Sequence, residues 1–163
     1  LPHPAHDAAG KPSQDPATDF QLSGFLPYSI TVLAAEMSER FGALYQEQFG
    51  ITMAEWRILA YVAANHEMSV REIAAGVVLD KAKVSRGIAR LQAQGHVRKR
   101  AGKTDGRLVR ISLTPKGRRL FTKIVPLAND FQAWLLDALD DKERRQLETA
   151  IAVLRRRLIA PSS

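Results

Sequence analysis

Residues 69–97 read SVREIAAGVVLDKAKVSRGIARLQAQGHV, and the order of signals in this stretch decides the fold. Ser69-Val-Arg-Glu72 is a capping box: the Ser hydroxyl accepts from the amide three residues on, while the Glu carboxylate reaches back to the Ser amide. It predicts a short helix through Ile73 and Ala74 to Gly76 or Val77. Gly76 to Asp80 reads as a tight turn. Asp80 can then cap a further helix whose apolar positions, Val84, Ile88 and Leu91, recur at i, i+4 and i+7, with Gly95 closing it. Two short helices joined this closely, the second strongly basic, form a helix-turn-helix candidate.

Downstream of Gly95 the apolar period changes from 3.6 to 2. Val97 to Ala101 and Leu108 to Leu113 are β-prone, with Val109, Ile111 and Leu113 expected on one face and Leu108, Arg110 and Ser112 on the other. Gly102-Lys-Thr-Asp-Gly106 between them makes a turn, so the pair is a hairpin. Thr114-Pro115 supplies a cap and a first-turn proline for a long helix to about Leu139, which Pro126 can kink. Asp140-Asp-Lys-Glu143 caps a last helix to Ile159.

Upstream, Ile30, Leu33, Met37, Phe41 and Leu44 recur at helical steps between Phe25 and Gly50. A second capping box, Thr52-Met-Ala-Glu55, opens a helix carrying Trp56, Leu59, Val62 and Ala63 to about Asn65. The first nineteen residues hold four of the eight prolines and no apolar period, which predicts a mobile arm. The expected architecture is mainly α, with six helices and a two-stranded β-wing. It divides into an arm (1–19), a dimerisation helix (20–50), a winged helix-turn-helix (51–114) and C-terminal dimerisation helices (115–160). The terminal helices are assigned to a dimer because their apolar faces are too large to bury within so small a chain.

At 163 residues the chain has room for one domain with a sizeable core. It contains no cysteine, which excludes disulfides, thiolate metal sites and thiol-based redox sensing. No apolar run approaches the roughly 20 residues of a membrane span, and the N-terminus lacks a basic stretch followed by an apolar core. A soluble, unexported, cytoplasmic protein is expected. The absence of an initiator Met suggests that the chain begins inside a longer gene product. The net charge is +7, and its distribution is more telling than its size. Residues 81–119 carry thirteen Lys or Arg against one acid, Asp105, a local balance of +12 that leaves −5 elsewhere. A basic middle in an otherwise acidic protein is the sequence footprint of a phosphate-backbone partner.

On the helix from Lys81 to Gln94, Lys81, Lys83, Ser85, Arg86 and Arg90 are exposed while the apolar positions face the core. A helix of this width fits the major groove, where Lys and Arg donate to guanine O6 and N7 and a Ser hydroxyl serves base or phosphate. A solvated charged face would carry the same residues, but the adjacent basic elements weigh against it. In the hairpin, Arg98, Lys99, Arg100, Lys103, Arg107 and Arg110 surround a glycine-bearing tip that can lie against the next groove, and a narrow minor groove attracts Arg. Asp105 fits there if it pairs with Arg107 or Arg98 and fixes the tip, though Asp is also an ordinary turn residue.

No phosphate-cradling glycine loop and no Ser, His and acid set is present, so an enzyme is the weakest reading. No cofactor is implied. His3 and His6 lie on the arm with few companion ligands, and His66 and His96 are singletons expected to be solvated. The competing class is a winged-helix module that docks RNA or protein. RNA recognition favours exposed aromatics for stacking, and the basic window has none, which points to duplex DNA.

Trp56-x-x-Leu59, Ser69-x-x-x-Ile73-Ala74, Val84-Ser85-Arg86, Leu91-x-x-x-Gly95-His96-Val97, Asp105-Gly-Arg107 and Leu113-Thr114-Pro115-Lys116-Gly117 together resemble the MarR family of regulators, over about residues 26–158. The resemblance implies an obligate dimer built from the first and last two helices, probing an operator with a winged helix between them. It implies that Arg107 matches a wing Arg inserted in the minor groove and Asp105 its structural partner. Gly106 departs from the Arg that many relatives carry, which should weaken the wing's hold. It also implies an effector pocket, for which this chain offers Tyr28, Met37, Phe41, Trp56 and Ile58, with Arg40 as an anchor for an acid. An aromatic carboxylate or its coenzyme A thioester is the expected effector, a phenolic compound or no ligand at all the alternatives. The same residues would equally serve as core.

Overall fold

The computed structural model describes residues 20–101 and 109–159. The arm and the hairpin-tip residues Lys103, Asp105 and Arg107 lie outside them. The chain divides into two compact units, Leu1–Ser38 and Glu39–Ser163. In the first, a 3-10 turn at Leu22–Gly24 precedes α1 (Leu26–Phe49), and the Phe20 and Phe25 rings meet at 5.6 Å. Phe20, Leu22, Phe25, Leu26, Ile30 and Leu33 are all exposed.

The second unit continues α1 and adds α2 (Met53–Asn65), β1 (Glu67–Ser69), α3 (Val70–Val77), α4 (Lys81–Ala93), β2 (Val97–Ala101), β3 (Val109–Leu113), α5 (Pro115–Leu136) and α6 (Asp141–Ile159). Both capping boxes form. The Thr52 amide donates to Glu55 Oε2 at 2.7 Å and the Ser69 amide to Glu72 Oε2 at 2.7 Å, while the Glu amides donate back to the hydroxyls. Each box satisfies two amides that a helix start leaves without partners. The core gathers Tyr45, Ile51, Ile58, Leu59, Val62, Ile73, Val84, Ile88, Leu91, Ile111 and Ile124. Burying each such aliphatic side chain contributes about 1.5–3 kcal/mol, so Val84, Ile88 and Leu91 alone fasten α4 firmly.

Three local features differ from the sequence expectation. The hairpin gains a third strand, β1, in an antiparallel sheet of order β1-β3-β2, with Met68 and Lys99 flanking Ile111 on either side. Three residues are too few to show a period of two, so β1 read as loop. As the central strand, β3 buries Ile111, Ser112 and Leu113, while Val109 is exposed. Gly76 lies inside α3 rather than in the turn. A Cβ there would fall within the Tyr61 side chain, so glycine serves close packing, and Val78 takes the left-handed conformation instead (φ 53°). That is a costly conformation for a β-branched residue. Finally, α5 ends at Leu136, three residues early, and runs through Pro126 as one helix.

The α4–β2 turn and the start of α5 lock together. Gly95 turns the chain with φ +76°. The Thr114 hydroxyl donates to the Gly95 carbonyl at 2.7 Å and accepts from the Gly117 amide, while Lys116 Nζ donates to the Gln94 carbonyl at 2.8 Å. A Cβ on Gly117 would run into the His96 carbonyl. The motifs Gly95-His96-Val97 and Thr114-Pro115-Lys116-Gly117 are therefore two halves of one joint.

Candidate nucleic-acid interface

Asp80 starts α4 as the sequence requires: its carboxylate accepts from the Lys83 amide at 2.7 Å and lies 3.6 Å from Lys83 Nζ. The amide bond first, and the nearby Lys83 and Arg86 charges after it, hold the Asp80 carboxyl below the usual carboxylate range. Val84, Ile88 and Leu91 point inward and are buried. Gly87 lets α4 approach α2, since a Cβ would come within 2.7 Å of Ile58 Cδ1. This close fit sets the orientation of the opposite face, where Lys81, Lys83, Ser85 and Arg86 are exposed. Among the described residues, Lys81, Ser85 and Arg86 make no hydrogen bond or ion pair within the protein, so their donors are available to a partner.

Arg90 is placed differently from its neighbours. Its Nε sits 3.0 Å from Oε1 of Glu55, a carboxylate only 1% exposed. The sequence grouped Arg90 with the outward cations; the structure ties it to α2, giving it a structural task as well. Glu55 was legible as a cap but not as this anchor, because the pairing crosses between helices.

In the wing, Lys99 and Arg100 are exposed on β2, and Arg98 Nε donates to Ser112 Oγ at 3.0 Å across to β3. Arg110 Nη1 reaches Glu72 Oε2 at 2.8 Å. The Glu72 carboxyl is held low, chiefly by its hydrogen bonds with Ser69 and then by Arg110. One acid thus caps α3 and ties it to β3, removing Arg110 from the free cations. His96 is half-buried rather than solvated. Burial first, and then Lys116, push its imidazole below the usual range, against an opposing pull from Glu55.

The residues named for an effector pocket separate. Ile58 is fully buried beneath Gly87 and belongs to the core. Trp56 packs against Tyr45 and Phe121 with ring centroids 5.2 and 5.6 Å apart. Tyr45 is fully buried, which pushes its phenol well up. Of the named residues only Arg40 lines an open groove of about 440 Å³, together with Leu44, Leu127, Asp130, Phe131 and Trp134. Phe41 stacks on Phe131 at 4.6 Å, and the Arg40 guanidinium lies 4.3 Å from the Trp134 ring centre. Tyr28 and Met37 fall in the first unit, Tyr28 exposed and Met37 half-buried. Asp130, Phe131 and Trp134 were missed because their helix was read for its dimer face.

A sequence model of the MarR family matches residues 49–108. The chain is 29% identical over 105 residues to the HTH-type transcriptional regulator BilQ of Clostridium symbiosum, covering 64% of this chain and 73% of that one. It is 32% identical over 123 residues to the HTH-type transcriptional regulator TtmR of Methylorubrum extorquens, covering 74% of this chain and 62% of that one. Among solved structures, a MarR/EmrR family transcriptional regulator from Acinetobacter sp. ADP1 superposes with a TM-score of 0.78 at 27% identity, covering 85% of this chain and 98% of that one. Bordetella bronchiseptica BpsR, whose DNA binding is regulated by 6-hydroxynicotinic acid, gives 0.64 at 25% identity over 81% of this chain and 99% of that one. With a winged helix that presents unpaired cations on an anchored helix, the chain belongs to the MarR family of DNA-binding transcriptional regulators.

Proposed function

We propose that this regulator is a homodimeric, ligand-relieved repressor that reads a pseudo-palindromic operator with Lys81, Lys83, Ser85 and Arg86. The carrying observation is that Lys81 and Arg86, on the exposed face of α4, have no ion-pair partner among the described residues, while the helix's apolar face and the Glu55–Arg90 pair hold it still. A site on a fixed element needs less ordering on binding. Arg98 and Lys99 add phosphate contacts, and at the wing tip Arg107 enters the minor groove with Asp105 as its partner and Lys103 beside it. The protein acts in the cytoplasm, where it meets chromosomal DNA.

For the dimer, α6 supplies the support. Leu147, Ile151, Leu154 and Leu158 recur at heptad spacing and are 43%, 49%, 41% and 84% exposed. An apolar seam of this period is suited to a second helix. A two-fold protein reads two-fold DNA with half-sites about one turn apart. Selection of bound sites from a random duplex pool should return an inverted repeat with that spacing. Recovery of sequences without symmetry, or of single-stranded RNA in preference to duplex DNA, would contradict the reading.

For the effector, the groove between α1 and α5 combines Phe131 and Trp134 with the Arg40 cation and the Asp130 carboxylate. This suits an aromatic acid with a ring donor, so that Arg40 takes the carboxylate and Asp130 accepts from a hydroxyl or ring N–H. The relative BpsR, regulated by a hydroxylated pyridine carboxylate, agrees with this chemistry. A ligand relieves DNA binding only by favouring the DNA-incompetent state, at about 1.4 kcal/mol per tenfold loss of affinity. Compounds raising the melting temperature should weaken operator binding, and Arg40→Ala should abolish their effect.

A further inference from the structure

We propose that the concavity between the base of the wing and the first turns of α5 binds a small amphipathic organic anion, one bearing a phosphate or paired carboxylates on an apolar body. It is an open depression of about 710 Å³ lined by Arg98, Leu113, Thr114, Pro115, Arg118, Arg119, Thr122 and Lys123. Four of these are cations and none is a carboxylate. Among the described residues, Arg118, Arg119 and Lys123 have no ion-pair partner, and Arg98 meets only the neutral Ser112 hydroxyl.

This arrangement works against the helix that carries it. Arg119 and Lys123 are like charges four residues apart, which repel on a helix surface. Arg118 and Arg119 also crowd the positive end of the α5 dipole, and the first turn contains no acid to offset them. A bound anion relieves both costs at once. The floor argues for an organic body rather than phosphate alone. Leu113 and Pro115 form an apolar base beneath the cations, and ligand sites of 300–1,000 Å³ are typically apolar with a few convergent polar groups. A duplex backbone would use the cations but leave that base unfilled. The site lies apart from the groove lined by Arg40, so it does not depend on the effector reading.

The test is calorimetric titration of the full chain with 1-naphthyl phosphate, alongside 1-naphthol and inorganic phosphate. One saturable site per chain is expected, with each partial compound at least about tenfold weaker. The Arg119→Ala/Lys123→Ala double variant should lose about tenfold or more in affinity while its melting temperature holds or rises. If that variant is unstable, Thr122→Glu, which sets a carboxylate in the concavity, should abolish binding in its place. Absence of saturable binding, unchanged binding in the variants, or inorganic phosphate binding as tightly as the aryl phosphate overturns the proposal. So does a double variant that loses random-duplex affinity while keeping the aryl phosphate, which would assign the surface to DNA backbone.

Discussion

Glu55 on α2 and Arg90 on α4 form an ion pair at 3.0 Å in which the carboxylate is 1% and the guanidinium 57% exposed. Its alignment falls short of a hydrogen bond at Oε1, while Oε2 is held by the Thr52 amide. A buried carboxylate with one mobile cationic partner is a fastening whose removal leaves either a lost cap or an uncompensated charge. Glu55→Ala should therefore lose about 2–3 kcal/mol of stability, combining the cap and the pair, and DNA affinity should fall with it. Arg90→Met should cost at least as much as Glu55→Ala in stability, because it spares the cap but leaves the buried Glu55 carboxylate without its cation, and it should reduce DNA affinity as well. A urea-denaturation midpoint unchanged in Glu55→Ala would remove this fastening from the account.

His96 sets a pH dependence. Its folded-state pKa is depressed, so the folded protein binds fewer protons than the unfolded chain near and below the ordinary imidazole value. Stability should consequently fall as the pH drops through about 6.5, and level off once the folded state also protonates. His96→Gln should flatten that slope in unfolding measurements between neutral and mildly acid pH. A slope of the same size in the variant would place the titration elsewhere.

Two glycines should respond unequally to alanine. At Gly117 the new methyl meets the rigid His96 carbonyl, whereas at Gly87 it meets the movable end of Ile58. Gly117→Ala should cost about 2–3 kcal/mol and Gly87→Ala about 1 kcal/mol. Thermal melting of both variants under one condition checks the ranking, and the reverse order would show that the Thr114 joint yields more easily than the α2–α4 contact.

The exposed seam of α6 makes the oligomeric state a direct target. Ile151→Glu/Leu154→Glu should shift the protein to monomer in sedimentation velocity with its helical circular-dichroism signal largely kept. A wild-type chain that sediments as a monomer at micromolar concentration would already refute the dimer.

The sequence made the helix boundaries legible wherever a side chain closes its own backbone, as at Thr52, Ser69, Asp80 and Thr114, because those signals span only three residues. It was silent on β1, too short to carry a period, and misread Gly76, whose reason lies in Tyr61 fifteen residues away. The exposed basic face of α4 was visible because helical spacing alone separates Val84, Ile88 and Leu91 from Lys81, Ser85 and Arg86. Pairings that cross elements were not: Glu55 with Arg90, Glu72 with Arg110, and Arg40 with Trp134 depend on how helices and strands meet. For the same reason Ile58 looked available for a ligand until its packing against Gly87 placed it in the core.

The central claim is that the exposed face of α4 reads base sequence. Arg86 is its most telling member, being exposed, free of a hydrogen bond or ion pair among the described residues, and carried by a helix fixed at Val84, Ile88 and Leu91. The decisive measurement compares the affinities of Arg86→Ala and Lys99→Ala for the selected operator and for a scrambled duplex at one salt concentration. Arg86→Ala should lose about 1–3 kcal/mol on the operator and much less on the scrambled duplex, while Lys99→Ala should weaken both alike. Equal losses on the two duplexes for Arg86→Ala would contradict the account.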